Sequence, residues 1–381
     1  MKRIFLIALA ILTVFLCACG QSTPAVDTEW QTEGEVPPAL EDTEAVTEAP
    51  ETDPAESEPA ETVLEPTFVK PEISDSLKAE YSRYLSDSWS QKLEELGNSQ
   101  GEELAFLVQT DPHMWVGSDE KTANNAKALS HFAELDFIAV PGDLIRGYAY
   151  DEDNRQDAYR SLEELVDRYT ENVNCPVLMT FGNHDTNAMW CREHGEATHQ
   201  INQHDHYFMV TERLKALNGR NMVLDGNANH YYMDFPEHGI RVIMLNTTDS
   251  DYVDQYGDLS AIGARQREWF REEALDTDHS VIVMSHIPLT SAFPENNAAP
   301  TGSEEIREAV EQFVAEGGDF IAYMCGHVHI QADLTDENGR LHISFKNGGT
   351  QGEVVFVDTE AGTIRTVGLG KPSSRSFTYG E

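Results

Sequence analysis

Phe320-Ile321-Ala322-Tyr323-Met324-Cys325-Gly326-His327-Val328-His329 is the stretch on which the fold turns: six apolar residues without a break, a glycine, then two histidines two positions apart. Strands with one wet face alternate in polarity, so an unbroken apolar run predicts a strand buried on both faces. Working outward, the same arrangement recurs four times. Leu104 to Val108 leads to Thr110-Asp111-Pro112-His113, and Phe137 to Val140 leads to Gly142-Asp143. Val177 to Phe181 leads to Gly182-Asn183-His184-Asp185, and Val281 to Met284 leads to Ser285-His286. Helical stripes lie between the runs. Leu162, Leu165, Val166 and Tyr169 form one. Ile306, Ala309, Val310, Phe313 and Val314 form another, with Thr301 and Ser303 as expected caps and Gly317-Gly318 as the stop. Strand and helix in alternation predict a layered α/β domain. Beyond the fifth run, Leu341 to Phe345, Glu353 to Asp358 and Thr363 to Val367 read as further strands completing a sheet, expected to be antiparallel.

Each apolar run ends in Asp, Asn or His, at the strand edge where α/β sheets build their sites. A lone histidine is more simply a buried, hydrogen-bonded imidazole. Seven donors at five strand ends are not explained that way. Asp111, His113, Asp143, Asn183, His286, His327 and His329 supply enough oxygen and imidazole nitrogen for two divalent ions, provided one carboxylate bridges them; His184 is an eighth group. Such a pair of ions lowers the pKa of a water held between them, so that a hydroxide nucleophile exists near neutral pH. Mn, Fe and Zn all suit these donors.

The order Asp-x-His, Gly-Asp, Gly-Asn-His-Asp, His, Gly-His-x-His resembles the calcineurin-like metallophosphoesterase superfamily from about Leu104 to His329, with Asn347-Gly348-Gly349 similar to its later glycine turn. The resemblance implies an α/β (α+β) fold, a four-layer β-sandwich flanked by helices, around a dinuclear centre. It implies that Asp111, His113 and His329 hold one metal, that Asn183, His286 and His327 hold the other, and that Asp143 bridges them. It also implies a catalytic role for His184 as general acid or phosphate contact, with Asp185 orienting it. Two departures are visible. The ferric-iron tyrosine of purple acid phosphatases is replaced by Arg146, which disfavours a purple iron centre. Arg146 also stands one residue too close to Asp143 to match the phosphate-gripping arginine of the Ser/Thr phosphatases, and a solvent-facing role is expected.

Other residues carry less. Trp190-Cys191-Arg192-Glu193-His194, followed by His199, His204 and His206, matches no zinc spacing and is expected to be a loop or cap over the site rather than a third metal site. Trp115, Tyr148 and Tyr150 wall a pocket or pack. Cys325 is expected to be a buried structural thiol, and Cys175 and Cys191 are a possible disulfide pair.

The chain has 381 residues and a formal net charge of −41, which disfavours a nucleic-acid partner. Lys2-Arg3 and an apolar stretch to Phe15 form an export signal, too short to span a bilayer comfortably. Leu16-Cys17-Ala18-Cys19 resembles a bacterial lipobox with Cys19 as the lipidated residue, so residues 1–19 are expected to be a lipoprotein signal peptide. Residues 21–66 hold fourteen acids, seven prolines and no Lys or Arg, so 20–66 is expected to be a disordered acidic tether. Residues 67–381 form the catalytic domain and, with 53 acids against 24 bases, still carry about −29. The expectation is a phosphoesterase acting on small extracellular phosphomonoesters or phosphodiesters, lipid-anchored at Cys19 to the outer face of a bacterial membrane. A cyclic-nucleotide phosphodiesterase or nuclease of the same superfamily is the nearest alternative. A non-catalytic binding lipoprotein is the alternative from another class.

Overall fold

Two stacked sheets, one with parallel strands along one side and the other with parallel strands at its centre, bring the five apolar runs to one rim. The computed structural model describes residues 67–380 apart from 86, 97–102, 117–120, 148–153, 250–259, 295, 297, 347 and 349–350. The expected signal, Cys19, the tether, Tyr148 and Tyr150 lie outside the described residues. In chain order the strands are β1 Leu104–Val108, β2 Phe137–Pro141, β3 Val177–Thr180, β4 Met222–Leu224, β5 Tyr231–Phe235, β6 Ile240–Met244, β7 Thr248–Asp249, β8 Ala261–Ile262, β9 Ser280–Ser285, β10 Phe320–Cys325, β11 Ala332–Thr335, β12 Leu341–Ser344, β13 Gly352–Asp358, β14 Thr363–Leu369 and β15 Arg375–Thr378. The first sheet has the order β15-β14-β13-β1-β2-β3, the second β11-β12-β10-β9-β6-β5-β4, and β7 pairs with β8 alone.

Parallel neighbours need a long crossover. Helices Lys121–Phe132 and Asn154–Thr170 provide it between β1, β2 and β3. The expected stripe Leu162, Leu165, Val166 and Tyr169 is fully buried in the same cluster as the first sheet. In the second sheet the period-2 geometry of a strand sorts side chains between two cores. Val242, Met244, Ile282, Met284, Met324 and Ile343 join the first sheet's residues. Ile243, Val281, Val283, Phe320 and Tyr323 pack instead with Trp269, Phe270, Ile306, Val310 and Phe313 from the helical segments 264–274 and 303–315. Both faces of β9 and β10 are therefore dry, which is why these strands read as unbroken apolar runs. An aromatic stack crosses between the sheets: Phe106 on Phe137 at 4.4 Å, and Phe137 on Phe235 at 4.9 Å. No helix among the described residues is long and apolar enough to cross a membrane.

Two local expectations are corrected, and one strand had no sequence signal. Leu341–Ser344 runs parallel to β10, while β13 leaves for the other sheet and lies antiparallel to β1. Neither Thr301 nor Ser303 caps helix Ser303–Ala315: Gly302 is the cap, with φ at 86°. A Cβ there would meet the Ile262 carbonyl oxygen at 2.7 Å, so a left-handed, side-chain-free turn takes the place of a hydroxyl cap. Ile240–Met244 was interrupted in the sequence by a charge, yet it is a fully buried strand. Arg241 is 6% exposed because Asp234 and the Ala274 carbonyl satisfy its guanidinium.

Candidate metal centre

The loops that leave β1 and β2 stay hydrogen-bonded to each other beyond the strand ends, and this fixes the first candidate ligand positions. The Asp111 amide donates to the Gly142 carbonyl at 3.2 Å, and the His113 amide to the Asp143 carbonyl at 3.0 Å. On the second sheet the Gly326 amide donates to the His286 carbonyl at 3.0 Å. The two halves are joined by His286, whose Nδ1 lies 2.9 Å from the Pro141 carbonyl oxygen. Gly348 packs on the Asp111 loop, its amide donating to the Thr110 carbonyl at 2.8 Å; Asn347 and Gly349 lie outside the described residues.

The side chains converge on two adjoining groups. Asp111, His113, Asp143 and His329 form one, and Asp143, His286 and His327 form the other, with donor atoms in each within 4.8 Å of one another. Asp143 belongs to both. Its Oδ2 lies 3.2 Å from His286 Nε2 and 3.8 Å from both His113 Nε2 and His184 Nε2, while Oδ1 accepts the His184 amide at 3.0 Å. His329 Nε2 stands 3.0 Å from Asp111 Oδ1 and 3.3 Å from His113 Nε2. Asp111 is steadied from behind by Thr110 Oγ1 at 2.6 Å and the His327 amide at 3.2 Å, both on Oδ2.

Holding these groups together has a conformational cost. Among the described residues, seven non-glycine residues have positive φ, and five of them are Asp111, His113, Asp143, His327 and His329. Left-handed backbone at such positions costs on the order of 1–3 kcal/mol each and persists only where the surroundings enforce it. Glycine makes room as well. A Cβ on Gly182 would lie 2.2 Å from Asp143 Oδ1 and 2.5 Å from His286 Cδ2. Gly182→Ala is therefore expected to push both ligands off position and lower kcat/KM by about 10²-fold, the penalty typical of a 1 Å displacement. Steady-state kinetics beside a thermal melt checks this: the activity should fall far more than the stability.

The electrostatics call for positive charge. Burial opposes ionisation of Asp143, but His286, His184 and His113 outweigh it and hold the carboxyl far below the usual range. Burial alone would lower His286, yet Asp143 and Asp111 raise it to about 9. His327 moves the other way, to about 4, through burial and the neighbouring His286. Two buried atoms test the fit of a cation pair. Asn183 Oδ1 and His286 Nε2 are buried yet make no hydrogen bond of acceptable geometry. A stranded buried polar atom costs about 1–3 kcal/mol. Asn183 Oδ1 offers a lone pair and His286 Nε2 would offer one once a cation displaces its proton, the Nδ1 contact to Pro141 leaving Nε2 as the candidate coordinating nitrogen. These residues fit a two-metal site.

His184 and Asp185 behave differently from each other. His184 Nδ1 is 2.5 Å from the Arg146 carbonyl oxygen, so the proton on that nitrogen is fixed and Nε2 turns toward Asp143. Asp185 does not orient His184. It is fully buried, its Oδ1 accepting the Ile145 amide at 2.9 Å and its Oδ2 the Gly182 amide at 2.7 Å, so it ties the two ligand loops together. Arg146 itself is exposed, as expected, and serves the site through its main chain.

The segment after the third motif packs beside Asn183, whose Nδ2 points at Met189 Sδ at 3.5 Å. Trp190 stacks on His194 at 4.2 Å and lies 4.7 Å from His199. Among the described residues these histidines join no metal-ligating group. His206 is buried against Phe181 at 4.2 Å, and its Nε2 reaches the Asp185 carbonyl at 3.0 Å, a support that the sequence did not suggest. Burial lowers His206 from 6.5 to about 4. A depressed histidine pKa stabilises the fold above pH 6.5 and loses that contribution as pH falls toward 4. Denaturant titrations at pH 7 and pH 4.5 should differ by roughly 2–3 kcal/mol more in the parent than in His206→Phe. Trp115 is half-buried against Trp190. Cys175, Cys191 and Cys325 are all free and buried, so Cys175 and Cys191, whose pairing the sequence left open, are not joined.

Comparison with known proteins agrees with this geometry. The family model for calcineurin-like phosphoesterases matches residues 104–331, and the chain belongs to that family. It is a hydrolase of phosphoric ester bonds, in a family whose members carry two-metal centres. A dimetal phosphatase from Danio rerio shares the fold, with TM-score 0.54, 14% identity and coverage of 73% of this chain and 99% of that one. TT1561 of Thermus thermophilus gives TM-score 0.40 at 11% identity, over 72% and 99% of the two chains. A 5′-nucleotidase from Candida albicans gives 0.40 at 16%, over 66% and 46%. No curated protein matches the chain in sequence.

Proposed function

We propose that this chain hydrolyses small phosphomonoesters or phosphodiesters outside the cell, at a centre where Asp143 is shared by two divalent cations. The observation that supports it is the membership of Asp143 in both ligand groups. Asp111, His113 and His329 would complete one cation site, and Asn183, His286 and His327 the other. Bound there, Mn, Fe or Zn would supply positive charge to the phosphoryl oxygens and acidify a water for attack on phosphorus. The protein's own share is positional. His286 is locked by Pro141, Asp111 by Thr110 and the His327 amide, and the two ligand loops by Asp185. His184, 19% exposed at its side chain, is placed to donate a proton from Nε2 to the departing oxygen while the Arg146 carbonyl retains Nδ1–H.

Export and anchoring rest on the sequence: Lys2-Arg3, the apolar run and Cys19 after Leu16-Cys17-Ala18 support a lipoprotein tethered by residues 20–66. The charge of about −29 on residues 67–381 speaks against a nuclease. Purified protein should cleave bis(p-nitrophenyl) phosphate or p-nitrophenyl phosphate with Mn²⁺ or Zn²⁺, lose the activity to a chelator and regain it on metal addition. Faster turnover of 3′,5′-cyclic AMP or single-stranded DNA would move the assignment to the other phosphodiesterase readings. Less than about one metal per chain after reconstitution would favour a binding protein.

A further inference from the structure

At the opposite rim, a second kind of metal-ligating group is assembled from residues that the catalytic reading leaves unused. Asp136 immediately precedes β2, while Glu237 and His238 lie in the turn between β5 and β6. β2 and β6 deliver Asp143 and Asn246 beyond their carboxyl ends, so these three residues sit at the amino ends, roughly 16 Å of strand away from the catalytic centre. Their donor atoms lie within 4.8 Å of one another. The set is mixed rather than merely acidic: one imidazole with two carboxylates, the donors that zinc and manganese accept. The His238 side chain is only 7% exposed, and its Nε2 is aimed at Asp136 Oδ1 at 3.4 Å. The other oxygen of Asp136 is already held, accepting the Ala105 amide at 2.7 Å, which orients the free oxygen toward the imidazole as ligating carboxylates are commonly oriented.

We infer that Asp136, Glu237 and His238 form a structural site for a divalent cation of the zinc type, distinct from the catalytic pair. Asp136 belongs to the first sheet's connections and the 236–239 turn to the second sheet's, so a cation there cross-links the two sheets at the end the catalytic metals do not reach. Water completes its coordination. The inference stands independently of the phosphoesterase reading.

The test is zinc content per chain after equilibration with Zn²⁺ and removal of free metal by gel filtration, compared between the parent, Glu237→Gln and His238→Ala. Glu237 is exposed, and its replacement leaves the His238–Asp136 contact in place, so this variant decides the matter if His238→Ala folds poorly. Expected is a loss of about one zinc per chain in Glu237→Gln, with an unchanged circular dichroism spectrum and unchanged hydrolysis of bis(p-nitrophenyl) phosphate. Parent-like zinc content in folded Glu237→Gln overturns the site.

Discussion

Asp143→Asn is expected to lower kcat/KM by on the order of 10³-fold or more while leaving the fold intact. The carboxylate is fully buried and serves both ligand groups, and its negative charge is what His286, His184 and His113 surround. Asparagine keeps the shape and removes the charge. The several kcal/mol of transition-state stabilisation that a metal pair supplies corresponds to about three decades in rate. Metal content should fall with the activity, because no other described carboxylate belongs to both groups. Kinetics with saturating Mn²⁺ beside elemental analysis checks both halves. Near-parent activity in Asp143→Asn would remove the bridging role.

The second large effect separates leaving groups. His184→Gln is expected to slow hydrolysis of alkyl phosphoesters by about 10²–10⁴-fold, the range ascribed to general acid catalysis. p-Nitrophenyl esters, whose phenolate departs without a proton, should lose far less. The reason is the ring's fixed orientation: Nδ1 is 2.5 Å from a main-chain carbonyl that cannot take its proton, so Nε2 is the donor toward the site. A series of substrates graded by leaving-group acidity measures the difference as a slope. Equal losses across the series would assign His184 to phosphate binding.

The strands that carry the site were legible because parallel strands buried on both faces have no solvent side to encode, so each reads as an unbroken apolar run ending at its ligands. Where a buried strand holds a charge the signal fails: Arg241 interrupts Ile240–Met244, and its compensation by Asp234 and the Ala274 carbonyl arises only from the fold. The candidate ligands Asp111, His113, Asp143, His286, His327 and His329, which the fold gathers into two adjoining groups, were visible as residue type and order. The support behind the ligands was not. Asp185 follows His184 in sequence, yet its side chain turns inward to the Ile145 and Gly182 amides, a choice made by loop packing. His206 likewise reaches its place under Phe181 through a helical turn that no motif marks. Asp136 and His238 meet across a hundred residues of chain, which no local pattern could announce.

Anomalous diffraction from crystals grown with Mn²⁺ addresses the shared carboxylate most directly. At the rim that carries Asp143, two peaks about 3.5–4 Å apart are expected, the spacing of two-metal sites, each in contact with a carboxylate oxygen of Asp143, one near His113 and His329 and the other near His286 and His327. A single peak there, or two peaks of which one does not touch Asp143, would contradict a dinuclear centre bridged by that residue.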